Sequence, residues 1–218
     1  MSALRYRFHT RELGDHDIHY RALRSKQEYD DSDGEAAALG ISSASWPLFG
    51  VVWQAGEVLA KLMAEYDIGD RRILEVGCGI GLASLVLNKR LVDISATDIH
   101  PHARRNLHFN TQLNEDRHIP FLGTAWEDER DEAFGQFDLM IGSDVLFEPD
   151  HAVKLAHFFE LYARPTCEVI LVDAGRGLCN EFSRCMEANG YSQERLDDIA
   201  PFTKPESFTG RIQRYRRS

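Results

Sequence analysis

Between residues 71 and 173, short apolar runs alternate with stretches whose apolar positions recur at helical spacing. The short runs are rich in β-branched and aromatic residues and predict strands at 71–77, 93–98, 119–125, 137–144 and 167–173. The periodic stretches predict helices at 80–90, 100–114 and 150–163, and another at 177–189 that Asn189-Gly190 would close. Strand-helix alternation of this kind calls for a parallel sheet with helices on both faces. Two closing strands, near 191–196 and 210–217, have only a loop with Pro201 and Pro205 between them. Without an intervening helix they must pair antiparallel. The expected fold is α/β: a Rossmann-like, seven-stranded, mostly parallel sheet with an antiparallel C-terminal pair.

The first 45 residues follow a different rhythm. Tyr6 to Leu23 alternates loosely around Gly14-Asp15, which predicts a β-hairpin extension, and Asp30-Asp31-Ser32-Asp33-Gly34 reads as a polar turn or mobile loop. From Pro47 onward, Leu48, Val51, Val52, Ala55, Val58, Leu59, Leu62 and Met63 recur at helical spacing. They predict a helix with Pro47 in its first turn, stopping near Ile68-Gly69-Asp70. The chain is read as one domain over 1–218, with a hairpin and loop extension at 1–45 and a core at 46–218.

Charge and cysteine content narrow the function. Lys plus Arg number 25 against 35 Asp plus Glu, a formal net charge of −10. That balance argues against a nucleic-acid binder, whose affinity comes from clustered basic residues, and leaves room for a basic partner. No apolar run reaches membrane-spanning length, and Met1 to Arg11 lacks the apolar stretch of a signal peptide. The four cysteines form no zinc-type pairs and are expected to be reduced thiols of a cytoplasmic protein. The histidines show no HExxH spacing, so no metal site is predicted.

The chemistry concentrates at Ile73-Leu74-Glu75-Val76-Gly77-Cys78-Gly79-Ile80-Gly81-Leu82. A buried strand runs into three alternating glycines and then a helix, a loop that lets a ligand lie directly on backbone. Asp98 ends the next strand, where a carboxylate can accept the hydroxyls of a ribose; helix N-capping is its competing role. A nicotinamide fingerprint would place its last glycine where Leu82 stands. Glu75 below the loop would also repel a pyrophosphate, whereas it suits a cationic cofactor end or braces the loop through water. Cys78 reads as a small residue between glycines.

The pattern Glu-x-Gly-x-Gly-x-Gly resembles motif I of the class I S-adenosylmethionine-dependent methyltransferases. Trp46-Pro47-Leu48-Phe49-Gly50-Val51-Val52-Trp53 and Ser143-Asp144-Val145-Leu146-Phe147 further resemble the protein-lysine methyltransferase-like branch, methyltransferase family 16. The resemblance spans about residues 46 to 175. It implies S-adenosyl-L-methionine as cofactor and S-adenosyl-L-homocysteine as product. By position, Trp53 would lie along the cofactor, Gly77, Cys78 and Gly79 would wrap its methionine end, and Gly81 would complete the loop. Asp98 would hold the ribose, Trp126 would pack near the adenine, and Ser143 would meet the methionine side. Asp144 and Phe147 would face the acceptor, a protein lysine. Each has a plainer alternative: Trp53 as core, Trp126 as core rather than a pocket lid at a strand end, Asp144 as a loop carboxylate, Phe147 as a loop staple. Val52-Trp53-Gln54-Ala55 departs from the family's usual Trp-Pro-containing run. The rival functions are a small-molecule N- or O-methyltransferase and a non-catalytic cofactor-binding module. Nothing in the sequence indicates an oligomeric state.

Overall fold

Successive residues of the central strands point into two different apolar layers, and this alternation organises the molecule. The structure is a computed structural model and describes residues 4–195, 198–199 and 202–218. On one side, Ile73, Leu139, Ile141, Ile170 and Val172 pack under helices α2 (Gln54–Glu65) and α3 (Leu82–Lys89). On the other, Leu74, Val76, Met140, Val169 and Leu171 pack under α5 (His151–Tyr162) and α6 (Cys179–Ala188). The strands are β3 (Ile73–Val76), β4 (Ile94–Asp98), β5 (Phe121–Gly123), β6 (Phe137–Ser143), β7 (Ala163–Asp173), β8 (Ser192–Arg195) and β11 (Arg211–Arg217). They form one seven-stranded sheet in the order β5-β4-β3-β6-β7-β11-β8, in which β11 runs antiparallel to both neighbours and the other pairs are parallel. The expected Rossmann-like fold with an antiparallel closing pair is therefore present. Two short strands, β9 (Asp198–Ile199) and β10 (Phe202–Thr203), pair with each other in the loop before β11. Position 196 of the predicted strand and Pro201 of the predicted loop lie outside the described residues.

The N-terminal hairpin forms as expected, with β1 (Tyr6–Leu13) paired to β2 (His16–Leu23) across Gly14-Asp15. Its docking was not foreseen. Helix α4 (Pro101–Leu113) and its C-cap Asn114 present Asn106, Asn110 and Asn114 to the free edge of β2. Asn114 accepts from the His19 amide at 2.9 Å and donates to the His19 carbonyl. Asn110 accepts from the Arg21 amide at 2.9 Å, and Asn106 donates weakly to the Arg21 carbonyl at 3.5 Å. Side-chain amides thus satisfy backbone groups that would otherwise be orphaned. The Asp30–Gly34 segment is a turn whose Asp31 carboxylate accepts from the Ala36 and Ala37 amides at 3.0 and 2.8 Å, capping the short helix α1 (Glu35–Ala38).

Two boundaries differ most from the sequence reading, while α2 also ends at Glu65, short of Ile68, and β5 spans only Phe121–Gly123. The helix expected from Pro47 begins only at Gln54, preceded by a single 3-10 turn at Leu48–Gly50 and an extended Val51–Trp53. Gly50 lies so close to β2 that a Cβ there would stand 2.4 Å from Leu23 Cγ. The Trp46 and Trp53 indoles donate to the Ile41 and Leu48 carbonyls at 2.9 and 3.2 Å, holding this stretch as a loop. Strand β7 starts at Ala163 rather than 167 because Pro165 cannot continue α5 and biases Arg164 toward extended backbone. Among the described residues, no helix is long and apolar enough to cross a membrane.

Candidate active site

The C-terminal ends of β3, β4, β5, β6 and β7 open onto one cavity of about 750 Å³. This is the edge at which open α/β sheets bind ligands, where loops leave in opposite directions. The glycine loop forms its floor. Gly77, Gly79 and Gly81 have φ of 57°, 52° and 73°, a left-handed backbone that favours glycine. A Cβ on Gly79 would stand 3.1 Å from the Phe49 carbonyl oxygen, so the 46–53 loop lies directly over this glycine. Gly81 does not line the cavity. It N-caps α3, and a Cβ there would sit 2.5 Å from Leu107 Cδ1, so it serves helix packing.

Two carboxylates hold the loop in place. Glu75 is buried, and its Oε2 accepts from the Ser84 amide at 2.8 Å and from the Ser84 hydroxyl. It therefore caps the first turn of α3 directly, a duty that Gly81 has no side chain to perform. Burial pushes the Glu75 carboxyl up to about 7 despite these two bonds. Asp98 accepts from the Gly79 amide through Oδ2 and from the His100 amide through Oδ1, both at 2.8 Å. It ties the glycine loop to the start of α4, whose actual N-cap is His100. Burial raises the Asp98 carboxyl as well. Cys78 donates its amide to the Thr97 carbonyl at 3.0 Å, and burial holds its thiol well above the ordinary range, so it is no nucleophile.

Around the rim stand Trp53, Trp126, Ser143, Asp144 and Phe147. Trp53 is half-buried, lines the cavity and precedes α2 as its N-cap, so it is not a core residue. The His151 ring meets Trp126 and Phe147 edge-on, with centroids 5.0 and 4.5 Å away, and its Nδ1 donates to the Val145 carbonyl at 2.8 Å. That imidazole is a spacer between two aromatic walls. Asp144 is a non-glycine residue at φ 54°, its amide bonded to the Val172 carbonyl at 2.9 Å. Holding an aspartate there costs of order 1 kcal/mol, an expense typical of functional loops. Both its carboxylate oxygens accept from Arg176, Nε to Oδ1 at 2.8 Å and Nη2 to Oδ2 at 2.7 Å.

Ten of the eleven residues singled out from the sequence line this cavity, Gly81 being the exception. The sequence reading missed Arg176, the Leu39–Ser45 segment, Lys26 and His151. Arg176 had a signal, since Gly175-Arg176-Gly177 follows the end of a parallel strand, where pocket residues gather.

Sheet order, glycine loop and strand-end carboxylates define the Rossmann-like methyltransferase architecture. The magnesium protoporphyrin IX methyltransferase of Synechocystis PCC 6803, solved with bound SAM, superposes with a TM-score of 0.57 at 20% identity, over 75% of this chain and 78% of that one. The ribosomal protein L11 methylase of Lactobacillus delbrueckii subsp. bulgaricus gives 0.59 at 17% identity, over 77% and 81%. The chain belongs to the lysine methyltransferase family, whose profile matches residues 44–181. The protein-lysine methyltransferase METTL21E of Bos taurus is 26% identical over 134 residues, 56% of this chain and 46% of that protein. The histone-arginine methyltransferase METTL23 of Xenopus laevis is 28% identical over 104 residues, 45% and 44%. The chain thus spans about half the length of the curated relatives it matches.

Proposed function

We propose that this chain transfers a methyl group from S-adenosyl-L-methionine to a lysine side chain of a protein acceptor. The observation that carries the reading is the meeting, in one cavity, of a glycine cradle, two strand-end carboxylates and Asp144 with Phe147. The donor set fits the cofactor. Gly77 and Gly79 line the cavity with backbone alone, Asp98 keeps acceptor capacity beyond its two amide bonds, and Glu75 when ionised offers negative charge to a cationic end. When bound, the cofactor supplies a methyl group on an already activated sulfonium and leaves as S-adenosyl-L-homocysteine.

The residues of the chain position and desolvate the acceptor. A lysine near its ordinary value of about 10.4 is almost wholly protonated at neutral pH. Asp144 orients that nitrogen as its proton passes to water. Phe147 and Trp53 wall the approach with aromatic faces, which also favour the positive charge retained after methylation. The net charge of −10 supports a basic protein as acceptor. Four unpaired cysteines, three of them buried, support a cytoplasmic setting.

The test is incubation with isotopically labelled S-adenosylmethionine and a cell extract. Label on a defined lysine is the expected result. Label confined to small molecules would overturn the protein acceptor, and an absence of cofactor binding by calorimetry would overturn every catalytic version.

A further inference from the structure

Arg176 occupies the carboxylate that the proposed reaction needs. Its two nitrogens meet the two oxygens of Asp144 fork to fork, the strongest geometry available to this pair. The Asp144 side chain is 6% exposed and the Arg176 side chain 43%, so the carboxylate is the sheltered partner and the guanidinium the one open to solvent. Asp144 is held by its own backbone, through the amide bond to Val172. Arg176 stands between Gly175 and Gly177, at φ 91° and 95°, and a Cβ on either would meet nothing within 4 Å. The arginine therefore stands between two glycines that no side chain crowds, the Gly175 amide donating to the Asp173 carboxylate at 2.6 Å, while its partner is fixed. Its guanidinium carbon lies 6.0 Å from the centroid of the Trp53 ring, and Lys26 Nζ lies 4.2 Å from the same centroid. Trp53 thus faces cations at the cavity wall.

We propose that Arg176 is a specificity-determining residue that holds the acceptor seat on Asp144 with its own guanidinium. An acceptor gains the seat by exchanging its cationic nitrogen for that of Arg176, one ion pair for another. Neutral hydroxyl or thiol acceptors have no charge to exchange and leave the pair closed. The site is thereby selective for cationic nitrogen, lysine or arginine, over oxygen and sulfur. The inference rests on the reading of Asp144 as acceptor-facing.

The test uses the full chain and two small cations, n-butylammonium and methylguanidinium, with binding followed by amide chemical shifts around Asp144. Arg176→Ala and Arg176→Gln are expected to bind both cations about tenfold more tightly than the wild type, because the seat no longer has an internal occupant. Adding Asp144→Asn to Arg176→Ala is expected to abolish that binding. Equal binding by wild type and both variants, or binding that survives loss of the carboxylate, would overturn the proposal. A melting temperature about 10 °C or more below wild type in both Arg176 variants would also overturn it, by making the arginine a structural tie. The readout needs no methyl transfer. Cation binding as expected without label on any lysine would leave the seat standing and sink the methyl-transfer reading. Lysine methylation with cation binding indifferent to Arg176 would sink only the seat.

Discussion

Replacing Glu75 with glutamine should remove a pH dependence of stability that the wild-type protein carries beneath its glycine loop. Glu75 is buried, and burial raises its carboxyl from 4.5 to about 7. A carboxyl raised on folding takes up a proton more readily in the native state than in the unfolded chain. Its stabilising contribution is therefore complete below about pH 4.5 and is lost as pH rises through about 7. At about 1.36 kcal/mol per pH unit, the rise from 4.5 to about 7 amounts to roughly 3 kcal/mol between the two limits. Glutamine can still accept from the Ser84 amide, so the cap on α3 survives while the titration disappears. Urea unfolding followed by circular dichroism at pH 5, 6, 7 and 8 gives the measurement. Relative to Glu75→Gln, the wild type should lose between about 2 and 3 kcal/mol across that range, the remainder of the effect lying below pH 5. Saturating S-adenosylmethionine should recover part of the loss if a cationic cofactor end faces this carboxylate. A wild-type-minus-variant difference that stays constant with pH, within about 0.5 kcal/mol, would refute the reasoning.

Three other changes probe separate parts of the structure. Gly81→Ala places a Cβ 2.5 Å from Leu107 Cδ1 at a φ of 73°; a loss of about 1–3 kcal/mol in urea unfolding is expected, and an unchanged midpoint would contradict the close approach. Asp144→Asn should reduce methyl transfer by about 100-fold or more while leaving S-adenosylmethionine affinity within about twofold; full turnover on the true acceptor would remove Asp144 from the mechanism. Asn114→Ala deletes partners of the His19 amide and carbonyl and should cost about 1–3 kcal/mol. Faster hydrogen exchange at the His19 amide would register it, and unaltered exchange there would show that the amide bond does not hold the hairpin.

What the sequence made legible followed from local rules. Glycines at three alternate positions demand a left-handed turn wherever the chain lies, so the loop after β3 could be placed without a structure. The same holds for Asp98 and Ser143-Asp144, which end apolar runs. The start of α2 was not legible. Pro47 and eight well-spaced apolar residues satisfy the helical pattern. What breaks it is Leu23 pressing on Gly50 and two indoles bonding to nearby carbonyls. The asparagines of α4 were equally opaque, since polar residues on one helix face ordinarily signal water. Here the partner is a strand edge some 90 residues earlier in the chain. Arg176 hid for a related reason: an ion pair formed across 32 residues leaves no periodic trace.

That asparagine row also sets helix and strand side by side as two rulers of unequal pitch. Four residues of α4 advance about 6 Å, and two residues of β2 advance about 6.8 Å. Asn114 and Asn110 keep step with the His19 and Arg21 amides. By the third mark the scales have parted. Asn106 reaches back to the Arg21 carbonyl at 3.5 Å, and its oxygen takes the Arg21 side chain instead. A helix can thus impersonate the next strand of a sheet for little more than two rungs before incommensurate spacing ends the match. The asparagine row fixes the register of the hairpin over one stretch of β2 by arithmetic as much as by affinity. Sliding it by one residue would present β2's amides to the wrong divisions of the scale.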